Sequence, residues 1–314
     1  MQLITDEEIM KNHDKPMIVA LGFFDGIHYG HRVIIEETVR QARESNVLSG
    51  VFTFHPHPLK VLAPKRAPGL ITALSQKRRI LAEMGVDRLI VKAFTKEFAA
   101  TDFRSFVQTY LVQYLKVKGV VVGEDFRFGK ESKGDATAMK ELGEKYGFTV
   151  TVFDTIRVNG VEVRSTLIRN LILKGQMDKL LTYLGRPYTL VGKVVRGDGR
   201  GHQLGFPTAN LSLAVDYVIP DYGVYAGYII VHGKRYQAVA NIGVRPTFAK
   251  SDLSIEIHIL DYSGNLYDEI VEIELIKKIR SERSFDSIDE LVAQIKDDIV
   301  STRQILSNDI TAKS

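Results

Sequence analysis

The sequence predicts an α/β domain with a parallel sheet, followed by an antiparallel β-barrel domain with a terminal helix. From residue 16 to about residue 183, short apolar segments alternate with helical patterns, which is typical of βαβ units. After Gly185, strand follows strand without intervening helices, which is typical of antiparallel barrels. A chain of 314 residues is long enough for two hydrophobic cores. We therefore predict one domain over residues 1–184 and a second over residues 185–314.

Apolar segments define the predicted elements of the first domain. Five of them predict parallel strands, at residues 17–21, 47–54, 88–91, 119–123 and 148–153. A helix is predicted over residues 103–115, because apolar residues recur there at helical spacing, with Thr101 and Asp102 as candidate N-caps. We expect this apolar stripe to pack against the sheet rather than to line a cofactor pocket.

The second domain shows a different pattern. Five further segments predict antiparallel strands, at residues 188–195, 222–231, 236–241, 253–260 and 267–276. Glycine-containing turns at 232–234 and 263–265 separate consecutive strands. Apolar residues at near-helical spacing over 287–306 predict one closing helix that packs on the barrel.

The composition excludes several classes of protein. The chain has no cysteine, which excludes disulfides, thiolate metal sites and thiol nucleophiles. No apolar segment approaches the roughly 20 residues of a membrane-spanning helix, and the acidic start lacks the features of a signal peptide, so we expect a cytoplasmic protein. The net charge of +4 is small for this length and suits anionic small molecules as well as nucleic acid.

The first candidate site follows the first predicted strand, in the segment 22–31 with the sequence GFFDGIHYGH. A strand that leads through a glycine-bearing loop into a helix presents backbone N–H groups and the positive end of the helix dipole to a phosphate. His28 and His31 would share one side of the first helical turn, where imidazoles stabilise charge on a phosphoryl group. Gly30 would let a nucleotide approach the backbone.

Two alternatives stay open for these histidines. They could bind a metal together with His55 and His57, although zinc sites of this kind need a defined third and fourth ligand. They could instead be polar residues at the start of a helix. The spacing alone does not decide between phosphate chemistry and these alternatives.

The second candidate site opens the barrel domain. Its glycine-rich loop, with Gly197, Gly199 and Gly201, contains no dinucleotide fingerprint and no G-x-x-x-x-G-K-[ST] P-loop. The backbone N–H groups of such a loop surround phosphates, and Thr208 and Asn210 offer a hydroxyl and an amide oxygen suited to magnesium. The alternative is a turn-rich corner of a barrel.

Three segments of the first domain resemble a known family. GFFDGIHYGH matches the G-x-F-D-G-x-H-x-G-H signature of nucleotidyltransferases, and residues 123–129 and 164–169 look like two further signatures of the bacterial bifunctional riboflavin kinase/FMN adenylyltransferases, also called FAD synthetases. The resemblance implies a Rossmann-like nucleotidyltransferase domain with His28 and His31 as catalytic groups. The implied ATP site consists of Gly22, Phe23, Asp25, His28, Gly30, His31, Ser165, Thr166 and Arg169.

The same resemblance implies a flavin site in the first domain. Phe126 and Phe128 lie in a turn beyond a strand end, where aromatic rings could form a wall for the flat isoalloxazine ring. Core packing is the alternative for these two rings. The segment FHPHP after the second predicted strand is similar to the flavin-side loop of the family. The implied flavin contacts are His57, Pro58, Asp125, Phe126 and Phe128.

The second domain resembles riboflavin kinases. Residues 204–210 match the L-G-F-P-T-A-N signature, whose threonine and asparagine hold Mg²⁺–ATP in that family. The resemblance therefore implies Thr208 and Asn210 as magnesium ligands. The implied ATP site consists of Gly197, Gly199, Gly201, Thr208 and Asn210.

A glutamate completes the implied kinase site. Glu256 matches the strand glutamate that removes a proton from the ribityl hydroxyl of the flavin in this family. Strand alternation places Glu256 and His258 on one face, opposite the neighbouring isoleucines. The alternative is an exposed strand glutamate without a catalytic role. The implied flavin contacts of the barrel are Asn241, Gly243 and Arg280.

Three positions depart from the pattern of the family. Arg164 stands where the family has serine, His202 where arginine is usual, and Asp268 where glycine is common. The first departure leaves the role of its own position open. The other two could change loop mobility or affinity without removing a catalytic group.

Together these resemblances imply a two-domain enzyme that makes flavin cofactors. The barrel would phosphorylate riboflavin with ATP to give FMN, and the first domain would join FMN to AMP from a second ATP, giving FAD and pyrophosphate. ATP is the implied co-substrate and Mg²⁺ the implied cofactor, with riboflavin, FMN and FAD as partners and with neither nucleic acid nor a membrane. Two alternatives remain: a class I aminoacyl-tRNA synthetase or another transferase that acts on nucleic acid, and a non-catalytic flavin-binding or regulatory protein.

Overall fold

The computed structural model describes residues 1–10, 15–197, 199–246 and 251–308, with the backbone alone at residues 200, 202, 245, 246, 251 and 252. The chain forms two compact units. The first contains Met1–Pro68 and Leu74–Arg164, and the second contains Gly69–Ala73 and the chain from Ser165 onward. The boundary predicted between residues 184 and 185 divides the two functional domains, and it stays a prediction.

A six-stranded parallel sheet forms the centre of the first unit. Its order is β1-β4-β3-β2-β5-β6. All five predicted strands are confirmed. Four of them contain buried residues, whereas the edge strand Thr149–Phe153 is only partly buried. The sixth, β1, is a three-residue edge strand that the sequence analysis missed. The strands are β1 (Gln2–Ile4), β2 (Met17–Leu21), β3 (Leu48–His55), β4 (Arg88–Ala93), β5 (Val117–Gly123) and β6 (Thr149–Phe153), with a separate hairpin of β7 (Arg157–Val158) and β8 (Val161–Glu162).

The order of the strands brings two distant loops to one edge of this sheet. Strands β3, β4 and β1 lie on one side of β2, whereas β5 and β6 lie on the other. The strand order therefore reverses beside β2, and ligands bind in α/β folds at the carboxyl ends of strands next to such a reversal. The segment after β2 contains the candidate residues from Gly22 to His31, the loop after β5 contains Asp125, Phe126 and Phe128, and His57 and Pro58 follow β3.

Helices cover this sheet. They are α1 (Asp6–Ile9), α2 (Tyr29–Glu44), α3 (Pro58–Leu62), α4 (Leu74–Glu83), α5 (Lys96–Ala99), α6 (Phe103–Phe106) and α7 (Ala136–Tyr146), with short 3₁₀ turns at Pro64–Arg66 and Lys130–Ser132. The helix predicted over 103–115 forms in two parts, because α6 continues into a wider π-helix, Val107–Tyr114. Its predicted cap is confirmed: the Asp102 carboxylate accepts a hydrogen bond of 2.9 Å from the backbone N–H of Arg104. The buried members of the apolar stripe pack in the core, as expected: Phe106, Val107, Leu111 and Leu115.

A closed antiparallel barrel forms the centre of the second unit, with the order β10-β13-β12-β11-β14-β9. This confirms the predicted barrel. The sequence analysis missed β10, because the glycines and the proline before it favour a loop. The strands are β9 (Tyr188–Val195), β10 (Thr208–Leu213), β11 (Gly223–Val231), β12 (Lys234–Pro246), β13 (Ser251–Ile259) and β14 (Ile270–Arg280).

The terminal helix packs on the barrel, as the sequence predicts. The helices of this unit are α8 (Ser165–Leu173), α9 (Met177–Leu184), α10 (Arg200–Gln203) and α11 (Ile288–Ser307). The side chain of Ser287 caps α11 by accepting a hydrogen bond from the backbone N–H of Glu290. Leu306 of α11 packs with Ala226 and Tyr228 of β11. None of the helices in the described ranges is long and apolar enough to span a membrane.

The fully buried stripe of the π-helix should contribute to the stability of the first unit. We expect Leu111→Ala to lower the free energy of unfolding by about 2–5 kcal/mol, because it leaves a cavity beside the sheet. Gln113→Ala, on the exposed side of the same helix, should change it by less than about 0.5 kcal/mol. Urea unfolding followed by circular dichroism measures both values. Equal effects of the two variants would contradict this packing.

Candidate functional sites

The loop between β2 and α2 has an unusual backbone. Phe24, Gly26 and Ile27 all have left-handed conformations, with φ of 50°, 93° and 40°. Such values are costly for residues other than glycine. The side chains of Phe24 and Ile27 are buried in a core cluster together with Ile35 of α2. Burial of these two side chains therefore fixes a loop whose backbone is strained.

The two histidines of this segment lie together at the start of α2. His28 is the N-cap of the helix, and its Nδ1 accepts a hydrogen bond of 3.4 Å from the backbone N–H of His31. The two rings are stacked, with centroids 3.7 Å apart. The ring of Phe24 meets the His31 ring edge-on at 5.2 Å. His28 and His31 thus share one side of the first turn, as predicted.

Gly30 has a packing reason to be glycine. A Cβ atom at this position would lie 3.1 Å from the carbonyl oxygen of Val163 and 3.3 Å from the His28 ring. The sequence analysis considered only the approach of a nucleotide. Within the described ranges, no group of three or more His, Asp or Glu side chains could hold a metal ion. The metal alternative for His28 and His31 therefore gains no support from the geometry.

The predicted flavin segments of the first unit also meet the β2–α2 loop. His57 is the N-cap of α3, in which Pro58 occupies the first turn, and its Nδ1 accepts a hydrogen bond of 3.0 Å from the backbone N–H of Leu59. The rings of Phe23 and His57 meet edge-on, with centroids 4.4 Å apart. The loop after β2 and the loop after β3 are therefore in direct contact.

The two aromatic residues after β5 differ in their environment. Their rings are stacked with centroids 5.3 Å apart. Phe128 is only 7% exposed and packs against Phe106 in the core. Phe126 is partly buried at the margin of that core. Packing therefore accounts for Phe128, whereas Phe126 keeps more surface for a ligand.

Arg164 makes several polar contacts. Its guanidinium lies 3.6 Å from the carboxylate of Asp125 and 3.4 Å from that of Glu162, and it donates a hydrogen bond of 3.2 Å to the Thr155 hydroxyl. The arginine found in place of the usual serine thus holds Asp125, a predicted flavin contact.

In the second compact unit, α8 begins with Ser165 and Thr166 and also contains Arg169.

The barrel register builds the second site around Glu256. On β13, Glu256 pairs with Asn210 of β10 on one side and with Asn241 of β12 on the other. Thr208 of β10 pairs with His258 of β13. The alternation predicted for β13 is confirmed, because Ile255 and Ile257 are buried on the opposite face while Glu256 and His258 are partly exposed.

A cavity of about 370 Å³ opens at this face of the barrel. The terminal helix forms part of its wall through Leu291, Ile295 and Asp298. His258 is fixed beside it by a contact of 2.9 Å between its Nδ1 and the carbonyl oxygen of Pro207. The candidate residues that line it are Gly201, Thr208, Asn241, Glu256 and Arg280.

At two of the predicted glycines, a Cβ atom would overlap a neighbouring polar side chain. A Cβ atom at Gly197 would overlap the side-chain amide of Asn210. A Cβ atom at Gly243 would overlap the carboxylate of Glu282, which also lines the cavity. Gly199, by contrast, has φ of 73° and open space around it.

Arg280 is held by residues that the sequence analysis missed. Its Nε and Nη2 donate to the carboxylate of Asp298 on α11, at 3.0 and 2.9 Å, and Gln294 donates to the same carboxylate at 2.9 Å. Asp298 is 3% exposed, so this ion pair is largely desolvated. In the sequence, the apolar stripe of α11 indicated only that this helix packs on the barrel. No short motif identifies Asp298 as a charged residue at the cavity.

The structure explains one of the remaining departures from the family. Asp268 has φ of 69°, a conformation that glycine adopts without strain. Its carboxylate lies 2.6 Å from Lys193 Nζ, and this hydrogen bond holds the pKa of Asp268 below its usual value. His202 lies in α10, and its side chain is outside what the structure describes.

Comparisons with known proteins agree with this division into two sites. Residues 10–167 match the FAD synthetase family, and residues 184–306 match the riboflavin kinase family. The bifunctional riboflavin kinase/FMN adenylyltransferase of Escherichia coli K12 is 39% identical over 288 residues, which cover 91% of this chain and 92% of that protein. The protein of the same name from Bacillus subtilis 168 is 36% identical over 305 residues, with 96% of each chain covered.

A solved structure has the same architecture. It is described as a macrolide-efflux protein from Streptococcus pneumoniae, and it superposes with a TM-score of 0.88 at 31% identity, over 96% of this chain and 98% of that one. Both family matches concern enzymes, which removes the non-catalytic alternative. On these findings, the chain belongs to the family of bifunctional riboflavin kinase/FMN adenylyltransferases.

Proposed function

We propose that the barrel cavity around Glu256 is the riboflavin kinase site and that the loop from Gly22 to His31 is part of the FMN adenylyltransferase site. The observation that carries the first assignment is the pairing of Glu256 with Asn210 and Asn241, beside a cavity that Glu256 and Asn241 line. The stacked histidines at the start of a 16-residue helix support the second.

In the kinase reaction, Glu256 acts as the general base. Its carboxylate accepts the proton of the ribityl hydroxyl, whose oxygen forms a bond to the γ-phosphorus of ATP while the bond to ADP breaks. General bases of this kind must lie within hydrogen-bond reach of the hydroxyl. Ser254 donates a hydrogen bond of 3.2 Å to the Glu256 carboxylate, which restricts its orientation. Asn241, Gly243 and Arg280 are the proposed flavin contacts.

The oxygen donors of the barrel site fit a magnesium ion. Mg²⁺ prefers oxygen ligands, and Thr208 and Asn210 would supply a hydroxyl and an amide oxygen. The missing side chain of Gly197 leaves room for the Asn210 amide. Bound with ATP, the ion would neutralise phosphate charge. The backbone N–H groups of the Gly197–Gly201 segment would bind the phosphates, in the manner of other glycine-rich loops.

In the adenylyltransferase reaction, the histidines stabilise charge. An oxygen of the FMN phosphate attacks the α-phosphorus of ATP while the bond to pyrophosphate breaks. Because Nδ1 of His28 accepts a backbone hydrogen bond, the proton of its neutral ring is on Nε2, which can donate to a phosphate oxygen. The N-terminus of α2 adds its positive dipole. Gly22, Phe23, Asp25, Ser165, Thr166 and Arg169 are the further proposed ATP contacts.

The proposed flavin-binding part of this site rests on the contact between Phe23 and His57. That contact joins the predicted nucleotide loop to the predicted flavin loop within the first unit. We keep His57, Pro58, Asp125 and Phe126 as flavin contacts, with Phe128 acting through its packing against Phe126. A cytoplasmic location and the absence of nucleic-acid and membrane partners remain predictions.

Removal of the carboxylate charge at Glu256 should stop only the first reaction. We expect Glu256→Gln to lower riboflavin phosphorylation by about 10²–10⁴-fold, because the amide cannot accept the proton. Conversion of FMN to FAD should be unchanged. Chromatography of riboflavin, FMN and FAD over time measures both. Glu272→Gln on β14 is the matched control, and equal losses in both variants would reject the assignment.

Removal of the imidazole at His28 should slow only the second reaction. We expect His28→Ala to lower FAD formation from FMN by about 10²-fold or more, because a donor to the developing phosphoryl charge is lost. Riboflavin phosphorylation should be unchanged. The control is His55→Ala, which should have little effect. If His55→Ala is as damaging as His28→Ala, the metal alternative gains support instead.

Removal of one proposed magnesium ligand should change the metal dependence of the kinase. We expect Thr208→Val to raise the Mg²⁺ concentration for half-maximal riboflavin phosphorylation by at least about tenfold, as is typical when a metal site loses a partner. The Mg²⁺ dependence of FAD formation should stay the same. Magnesium titrations of both reactions provide the comparison. An unchanged dependence of the kinase would remove Thr208 from the metal site.

A further inference from the structure

A buried lysine lies beneath the strained β2–α2 loop. Lys77, on α4, is 3% exposed and belongs to no motif of the family that the sequence analysis identified. Its Nζ donates a hydrogen bond of 2.5 Å to the carbonyl oxygen of Phe23. Its Nζ also lies 4.5 Å from the centroid of the Phe23 ring. One cation thus contacts both the backbone and the ring of the same loop residue.

The carbonyl oxygen of Phe23 has a second hydrogen-bond donor besides Lys77. The hydroxyl of Thr53 on β3 donates a hydrogen bond of 2.9 Å to the same carbonyl oxygen of Phe23. The carbonyl is therefore satisfied without Lys77. Lys77 also donates a hydrogen bond of 3.3 Å to the Thr53 hydroxyl. The three groups form a small cluster at the carboxyl end of the sheet.

The position of Lys77 is unfavourable for a cation. Burial lowers the pKa of Lys77 to about 8, and the carboxylate of Asp25 acts in the opposite direction. Asp25 itself is 2% exposed and lies in the β2–α2 loop. A buried cation that costs stability and is not needed by its acceptor is more often found at functional sites than in packing cores.

We propose that Lys77 is a positioning residue for FMN adenylylation, which holds the β2–α2 loop through the carbonyl oxygen and the ring of Phe23. This inference rests on the proposed function of the first unit. Phe23 contacts His57, and the adjacent Phe24 contacts His31, which stacks on His28. A shift of the Phe23 backbone would therefore move the proposed flavin loop and the two histidines together.

The test compares Lys77→Met with Lys92→Met. Methionine keeps much of the length of lysine and removes its charge. Lys92 is a partly buried lysine of the same unit, which pairs with Asp6 at 2.9 Å. We expect Lys77→Met to lower kcat for FAD formation from FMN at least tenfold, with a smaller change in KM, because the loop is displaced rather than removed. Riboflavin phosphorylation and the midpoint of thermal unfolding should stay close to those of the wild type.

Hydrogen exchange read by mass spectrometry tests the same inference without catalysis. Peptides that cover residues 22–28 should exchange faster in Lys77→Met than in the wild type and in Lys92→Met. If the wild type makes no FAD, the proposed function fails, but the exchange of this loop still tests the role of Lys77. If Lys77→Met fails to fold, Lys77→Gln takes its place in these experiments, because glutamine keeps a hydrogen-bond donor without the charge.

Two results would overturn the inference. The first is an unchanged kcat for FAD formation together with unchanged exchange in the loop. The second is a loss in Lys77→Met that Lys92→Met reproduces, with a matching fall in thermal stability, because that would indicate a general packing role. A selective loss of kcat with faster loop exchange and normal riboflavin phosphorylation would support it.

Discussion

The pairing of β13 with strands on both sides is the constraint on which the barrel site depends. Because β13 lies between β10 and β12, one residue on its outward face has a partner on each neighbouring strand. Glu256 occupies that position between Asn210 and Asn241. A shift of the register by one residue would turn Glu256 to the face now filled by isoleucines. The closed barrel therefore fixes the positions of Glu256 and of its polar neighbours together.

In the first unit, the candidate site depends on the conformation of a loop rather than on a strand register. Three residues of the β2–α2 loop have left-handed backbones, and the buried rings and side chains around them hold this conformation. Hydrogen bonds donated by Thr53 and Lys77 fix the carbonyl oxygen of Phe23. Strain of this kind persists only where the surrounding structure determines it in several ways. The loop is thus built on the sheet and held by it.

Most of the fold could be predicted, and the errors have physical causes. Strands β2 to β6 were found because each contains several apolar or β-branched residues, while the three-residue β1 carries too little pattern. Flanking glycines concealed β10, although it carries Thr208 and Asn210. The candidate site residues come from short motifs whose spacing is local, and their roles stay predictions. Lys77 and Asp298 were missed because their contacts depend on burial and on distant segments of the chain, and neither leaves a periodic signal.

The two candidate sites offer different groups to a phosphate, in keeping with their different residues. The first unit offers the N-terminus of α2, a helix of 16 residues, where backbone N–H groups and the dipole attract a phosphate. In the described part of the barrel unit, the helix within the glycine-rich segment is α10, whose four residues are too few for a comparable dipole. The proposed kinase site therefore relies on other groups to neutralise phosphate charge. Thr208 and Asn210, which lie on β10 and pair with β13, offer oxygen donors suited to a divalent cation.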